Sequence, residues 1–504
     1  MAQLQLVASI LSFAAGCSIS HCVVGLFLLL TSYLVLGAFY NVYFHSLSRY
    51  PGPRLWAASQ IPYALHFALG DGHLAIQRLH QRYGKTVRVA PDRLSLHDPD
   101  AWQEVMGHHK DRGENAKAPG FYDPNNIVGA DLRSHARHRK LLSVGFSARF
   151  LMEQQAVVSE YVGLMVKRLR EIGRDGAKAL DMVTWLNCTT FDIGGDVMFG
   201  ESFGCLRNGA YHPWVALIVE NVQFGAYTYA IAQFPLIARL IKACVPKSVE
   251  KRMEKHVGYI VDLVDKRLAA DSTRLDLMRA MSNAQEGQSM SKLEIYSNTG
   301  TLVVAGAETT SSALSAILFY LLKTPKTLQK LVDEVRGAFE TEIDIKFLDL
   351  QNLTYLNACI REGLRMYPPL ATGFPRITPP QGTVLFGEYL PPKPQTIIDI
   401  WQWPMSRSNE YFKDADKYVP ERWMSDPEYE SDVRQASQPF SFGPRDCMGK
   451  PLAYAEMRAI LAHLVWNFDM KLADDSKDWD KRQKVLMVWL KPPLNVYMKP
   501  VVRK

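Results

Sequence analysis

The chain has no Cys-x-x-Cys pair, and its seven cysteines are few for 504 residues and odd in number. Those lacks exclude a disulfide scaffold and a multi-cysteine zinc module. No low-complexity tract, repeat or long Gly/Ser or Pro run follows residue 54. The polar stretch Ser282–Ser291 reads as a surface loop, too short to divide the body. No G-x-G-x-x-G dinucleotide fingerprint is present. The nearest phosphate-loop match, Gly443 to Gly449-Lys450, is one residue too long and has no Ser or Thr after the lysine. With 47% hydrophobic and 22% charged residues the chain is neither disordered nor collagen-like. The net charge of +7 is too weak and too evenly spread for nucleic acid. It suits an acidic protein partner or an anionic membrane surface.

Charge is missing altogether from Met1 to Ser48. The apolar core Val23–Phe44, as a helix of about 33 Å, is long enough to cross the hydrocarbon layer. A cleaved signal peptide would carry a basic start and a shorter apolar stretch. A retained anchor over residues 1–48 is therefore expected, in preference to a signal peptide or a buried core helix. Arg49 and Arg54 follow it, and the positive-inside rule puts residues 49–504 in the cytosol. Leu4–Ile19 is a weaker apolar stretch with room for a second membrane segment. Prolines 51 and 53 flank Gly52 and stiffen the connection to the body.

Length alone suggests about three domains, but the body reads as one α-rich unit. Helical spacing of apolar residues recurs in Leu151–Ile172, Val249–Leu268, Leu293–Leu322, Thr327–Phe339, Tyr355–Met366 and Pro451–Phe468. Strands are expected as a Val87–Ala90/Arg93–Leu96 hairpin, at Thr383–Phe386 and Thr396–Ile400, and as Val485–Leu490 paired with Asn495–Met498. The fold class is mainly α with small β-sheets.

The segment Phe440-Ser-Phe-Gly-Pro-Arg-Asp-Cys-Met-Gly449 carries the most chemistry. Cys447 lies just before a helix, where free N–H groups and the dipole stabilise a thiolate. Gly443 permits backbone angles closed to other residues, and Gly449 lets a flat ligand approach. Arg445 supplies a fixed cation for a carboxylate. A thiolate pinned in this way suits haem iron as an axial ligand.

The pattern F-x-x-G-x-R-x-C-x-G resembles the cytochrome P-450 (haem-thiolate monooxygenase) family, in the style of fungal microsomal members of secondary metabolism. The resemblance spans about residues 50–500. Other segments follow in the family's order. Glu362-Gly-Leu-Arg365 puts two charges on one helix face. Pro420-Glu421-Arg422-Trp423 adds a second arginine. By resemblance, Glu362, Arg365 and Arg422 form a buried network that supports the cysteine loop. Ala305-Gly-Ala-Glu308-Thr309 resembles the oxygen-activating helix, with Glu308 where Asp is common. The resemblance implies that Glu308 and Thr309 organise water for proton delivery.

It also implies haem b on Cys447, with its propionates met by Arg139, Arg376, Arg445 and His135. Here His135-Ala-Arg-His-Arg139 stands where the family has W-x-x-x-R. The nearby Arg133, Arg137 and Lys140 read as a solvated basic face, suited to docking an acidic reductase. With no flavin or dinucleotide segment in the chain, electrons are expected from NADPH–cytochrome P-450 reductase, with cytochrome b5 as a second donor. Substrate contacts are expected at Val303–Glu308, Leu370–Phe374 and Ala118–Val128, mostly apolar, for a lipophilic small molecule such as a terpenoid or polyketide. The endoplasmic reticulum membrane is the expected location.

Two rival readings are a haem-thiolate isomerase or dehydratase and a haem-binding sensor. The Glu308-Thr309 pair speaks against both. Gly200-Glu-Ser-Phe-Gly204 matches a nucleophile elbow around Ser202. That elbow requires a preceding strand, and Phe191–Phe199 reads as helix.

Overall fold

The computed structural model describes residues 19–109, 113–118, 123–270, 276–282, 289–392 and 395–502. Residues 4–18 of the second apolar stretch and residues 119–122 of the third substrate segment lie outside them.

Helix α1 (Ile19–Tyr43) projects from the body with its large apolar side chains exposed, and its Val23–Tyr43 portion is long and apolar enough to cross a membrane. Its lower end is tied down. Asn41 Nδ2 donates to Ala58 O at 3.0 Å, and Arg88 Nη1 donates to Asn41 O at 2.8 Å. Gly52 is required at the joint, because a Cβ there would lie 2.4 Å from Arg88 O.

The body is helical for the reason the spacing implies: most helices bury an apolar face, although Pro235–Ala243 leaves its own exposed. Its main helices in chain order are α2 (Leu132–Leu142), α3 (Gln155–Gly173), α4 (Met182–Phe199), α5 (Pro213–Ala232), α6 (Pro235–Ala243), α7 (Lys247–Ala269), α8 (Lys292–Lys323), α9 (Pro325–Ala338), α10 (Thr354–Met366) and α11 (Lys450–Asn467). The six expected helices all form. The first is split, with Ala148–Glu153 preceding α3.

Helix α8, about 48 Å long by its rise per residue, runs through the middle. Ser291 and Glu294 close a reciprocal capping box at its start. Its C-terminal half is buried, and it packs most extensively against α4. The main core gathers α3, α4, α8, α10 and α11 around it.

The small sheets lie at the edge. Strands β1 (Thr86–Ala90) and β2 (Arg93–Leu96) form the expected hairpin. With β3 (Arg376–Ile377) and β4 (Ile397–Ile400) they make a sheet of order β1-β2-β4-β3, in which β2 and β4 run parallel. Arg93 and Asp399 are paired at 3.0 Å across that junction, both buried.

One strand expectation fails. Val485–Leu490 does not pair with Asn495–Met498. It folds on itself, Lys484–Leu486 against Val488–Leu490, because Met487 turns the chain at φ +70°. Asn495–Pro500 pairs instead with Ala179–Asp181 and Phe468–Leu472. Alternation marks strands but does not choose their partners.

The segment before Ser202 is the helix α4, ending on Gly200 at φ +78°. Asp192 there accepts from the amides of Cys205 and Leu206. The strand a nucleophile elbow requires is absent, and the hydrolase decoy falls with it.

Candidate active site

The cysteine loop is shaped by two left-handed residues, Ser441 (φ +63°) and Gly443 (φ +79°). A Cβ on Gly443 would sit 2.1 Å from Met106 O, so only glycine lets the loop close on that backbone. The loop folds back through Cys447 N–H donating to Phe440 O at 2.9 Å. The Cys447 sulfur is accessible, yet desolvation pushes its thiol up. The amides of Gly449 and Lys450, opening α11, act in the other direction and favour the thiolate.

A buried charge network is centred on Glu362 of α10. Glu362 accepts from Arg365 Nε at 2.9 Å and Nη2 at 2.8 Å, from Arg422 Nε at 3.0 Å and from Trp423 Nε1 at 2.9 Å. The Val419 amide adds a further bond at 2.9 Å. Arg365 also donates to Ser406 O and Ala415 O, and Arg422 to Lys413 O and Asp432. Burial alone would raise the Glu362 carboxyl, but the two arginines and these hydrogen bonds hold it below the ordinary carboxylate range. Asp432 is a member outside the sequence motifs, and Trp423 belongs to one of them but was given no role in the network.

Cations collect on one side of the cysteine. Arg445 Nε donates to Glu114 Oε1 at 2.7 Å and its Nη1 to Ala130 O at 2.8 Å. Arg139 pairs with Asp446, through both its carboxylate and its carbonyl. Arg376 Nε lies 3.1 Å from Met106 Sδ. Lys117, bridged to Arg376 across a short β contact, is half-buried, and desolvation with Arg376 and Arg445 drives its ammonium well down. Burial, then Arg445, Arg139, Lys117 and Arg376, push the His135 imidazole down to about 3. Arg139, Arg376 and Arg445 thus gather around a neutral His135, with Glu114 on Arg445 and Asp446 on Arg139. A cavity of about 380 Å³ opens beside them, lined in part by His135, Arg139 and Pro444. This cluster of arginines suits the two carboxylates of a haem. Lys117 was missed because nothing near it in sequence sets it apart.

The acid-alcohol motif lies on helix α8. Ala305 and Gly306 are exposed in the middle of a helix whose C-terminal half is buried, and a Cβ on Gly306 would meet nothing within 4 Å. Thr309, one turn on from Ala305, shares that face and donates to Ala305 O at 2.6 Å. Glu308 lies about 100° round the helix from Thr309. It is buried against Lys491, with Ser312 Oγ 3.3 Å from the same carboxylate oxygen. The structure thus sends the two residues of the motif to different surroundings.

Among the other expected contacts, Ala371 is buried and Phe374 lies under the Lys117 ammonium at 4.9 Å. Asn125 to Ile127 are fastened to α8 through Asn298 and Ser297. The basic face needs one correction. Arg137 is only partly solvated: it binds Glu294 and Ser289 O, pinning α2 to the start of α8. Arg133 and Lys140 are exposed as expected.

The chain's likeness to known proteins covers all these elements. The family model for Cytochrome P-450 matches residues 51–499. The trichothecene C-15 hydroxylase of Fusarium sporotrichioides is 39% identical over 475 residues, covering 93% of this chain and 96% of that protein. A cytochrome P-450 monooxygenase of Hormonema carpetanum is 39% identical over 483 residues, with 94% and 95% covered. Another, from Talaromyces wortmannii, is 37% identical over 484 residues, with 94% and 97% covered.

Proposed function

The chain belongs to the cytochrome P-450 family, and from that premise we propose a division of labour among its residues. Its activity is haem-thiolate monooxygenation, with haem b as cofactor and electrons from a redox partner. Haem, when bound, supplies the activation of dioxygen by which one oxygen atom enters the substrate.

Cys447 holds the iron through a thiolate favoured by the Gly449 and Lys450 amides. Arg139, Arg376, Arg445, Lys117 and His135 receive the propionates; Phe440, Gly443 and Gly449 shape the bed. Glu362, Arg365 and Arg422 keep the loop in place. Thr309 holds water on the open face of α8, and Glu308 governs the supply of protons to it. The exposed Ala305–Gly306 surface and the Leu370–Phe374 segment are mostly apolar and suit a lipophilic small molecule. The relatives point to secondary metabolism, and a terpenoid or polyketide substrate fits. Insertion into a C–H bond or a double bond is the reaction proposed.

Residues 1–48 form the anchor and 49–504 the catalytic domain. The chain spans the endoplasmic reticulum membrane once, with the body in the cytosol. NADPH–cytochrome P-450 reductase, with cytochrome b5 as a second donor, docks near Arg133 and Lys140.

The observation that carries this reading is Cys447 before the start of α11, beside the cluster of Arg139, Arg376 and Arg445. Reduced holoenzyme treated with carbon monoxide is expected to show the red-shifted Soret band of thiolate ligation, and Cys447→Ala to lose it. An unchanged spectrum in that variant would refute the assignment. Product profiling of a strain lacking the enzyme identifies the substrate.

A further inference from the structure

Lys491 stands out as a buried lysine inside an apolar stretch, Val488-Trp-Leu-Lys-Pro-Pro493. Its ammonium meets the Glu308 carboxylate and, at 2.6 Å, Ser312 Oγ. The lysine and glutamate side chains are only 3% and 8% exposed. A buried carboxylate with one cation and one hydroxyl depends on that cation, since removing it leaves a charge with nothing to offset its lost hydration. Tyr211 and Tyr367 also lie near enough for the Glu308 charge to act on their hydroxyls.

The backbone on both sides of Lys491 is fixed. Trp489 Nε1 donates to Pro368 O at 2.8 Å, and its ring stacks on Tyr367 with centroids 4.1 Å apart. Pro492 O accepts from Trp479 Nε1 at 2.8 Å. Tyr367 and Pro368 lead directly into Leu370–Phe374. The hairpin before Lys491 is also held from outside, by Val485 N–H donating to Gly70 O at 2.8 Å.

We propose that Lys491 is the positioning residue for Glu308. It holds the carboxylate on the flank of α8, off the face that Thr309 shares with Ala305, and ties that position through Trp489 to the Tyr367–Phe374 segment. This rests on the reading that Glu308 governs proton supply. A substrate that shifts Leu370–Phe374 shifts the ammonium with it, so the acid is released toward Thr309 only when the substrate segment is occupied.

The test uses membranes holding the full-length haem-loaded chain and its reductase. The organic extract of a strain lacking the enzyme serves as the substrate source. Hydrogen peroxide released per NADPH reports how often oxygen activation fails to reach product. Lys491→Met is expected to keep the thiolate carbon monoxide band and to raise that ratio several-fold. Lys491→Arg is expected to restore it, because a cation returns to the carboxylate. Independently of turnover, the unfolding midpoints of Lys491→Met, Glu308→Gln and the double variant are expected to be non-additive, the mark of direct coupling.

If Lys491→Met does not load haem, Ser312→Ala removes the second partner of the carboxylate and is expected to raise the ratio in the same direction. A normal ratio in Lys491→Met alongside a raised ratio in Glu308→Gln overturns the role of Lys491 and leaves that of Glu308 standing. A normal ratio in Glu308→Gln overturns the reading of Glu308 itself. Additive midpoints also count against the positioning role.

Discussion

Two buried glutamates, Glu362 and Glu308, flank the same interior and are treated differently by the fold. Glu362 accepts from Arg365, Arg422, Trp423 and the Val419 amide, and both arginines spend their remaining hydrogens on carbonyls or Asp432. Glu308 has Lys491 and Ser312. A carboxylate with every lone pair engaged resists rearrangement and serves as scaffold. One held by a single flexible lysine has somewhere else to go. On the proposed division of labour, the contrast separates the side that would keep the sulfur still from the side that would move a proton.

The comparison can be broken most forcefully at the network. Arg422→Met leaves Glu362 and Asp432 buried without their shared cation. It is expected to cost about 3–5 kcal/mol, measured as a lower denaturation midpoint and a smaller fraction of chains carrying the thiolate carbon monoxide band. A variant that loads haem normally would remove the claim that this network supports the loop.

Gly443→Ala comes next. It forces a side chain into φ +79° with its Cβ against Met106 O. A penalty of about 1–3 kcal/mol is expected for such backbone strain. The reduced carbon monoxide complex should shift toward the band of a displaced thiolate.

Acid acts on the scaffold in two stages. Burial, partly offset by the Gly84 carbonyl, pushes His80 down to about 3, and burial lowers His73 to about 4. Their unfolded value is about 6.5, so the unfolded chain takes up protons first. Stability is full above about 6.5 and drains as pH falls towards the folded values. Glu362 is also held low. Its contribution is intact above the unfolded carboxylate value of about 4.3 and is lost as pH falls through the lower folded one. Unfolding midpoints measured from pH 8 to pH 3 should decline in that order, and a flat profile would contradict it.

Thr309→Ala is the mildest change to the fold. Its hydroxyl bonds only within its own helix turn, so stability should stay within about 0.5 kcal/mol. Product formed per NADPH should still fall several-fold. Full yield would show that the open face of α8 works without the hydroxyl.

Much of this was readable in the chain because its signals are local. The Cys447 loop lies within ten positions, Glu362 and Arg365 share a helix face, and the six long helices announce themselves by apolar spacing. What escaped depends on partners distant in sequence. Glu114 meets Arg445, Lys117 meets Arg376, and Lys491 meets Glu308. No spacing rule joins such pairs. Arg137 looked like a surface charge because its partner Glu294 belongs to another helix. The failed strand pairing has the same origin, since a positive φ at Met487 is invisible to alternation. Lys491 did carry one hint, a lone charge in apolar text ahead of two prolines.

The joint below α1 has a mechanical consequence. Asn41 bonds to Ala58 and Arg88 bonds to Asn41, so the helix meets the body as a rigid shaft, not a leash. If α1 crosses a bilayer as proposed, such a shaft holds the body at one tilt and lets it turn only as fast as lipid viscosity lets the shaft spin.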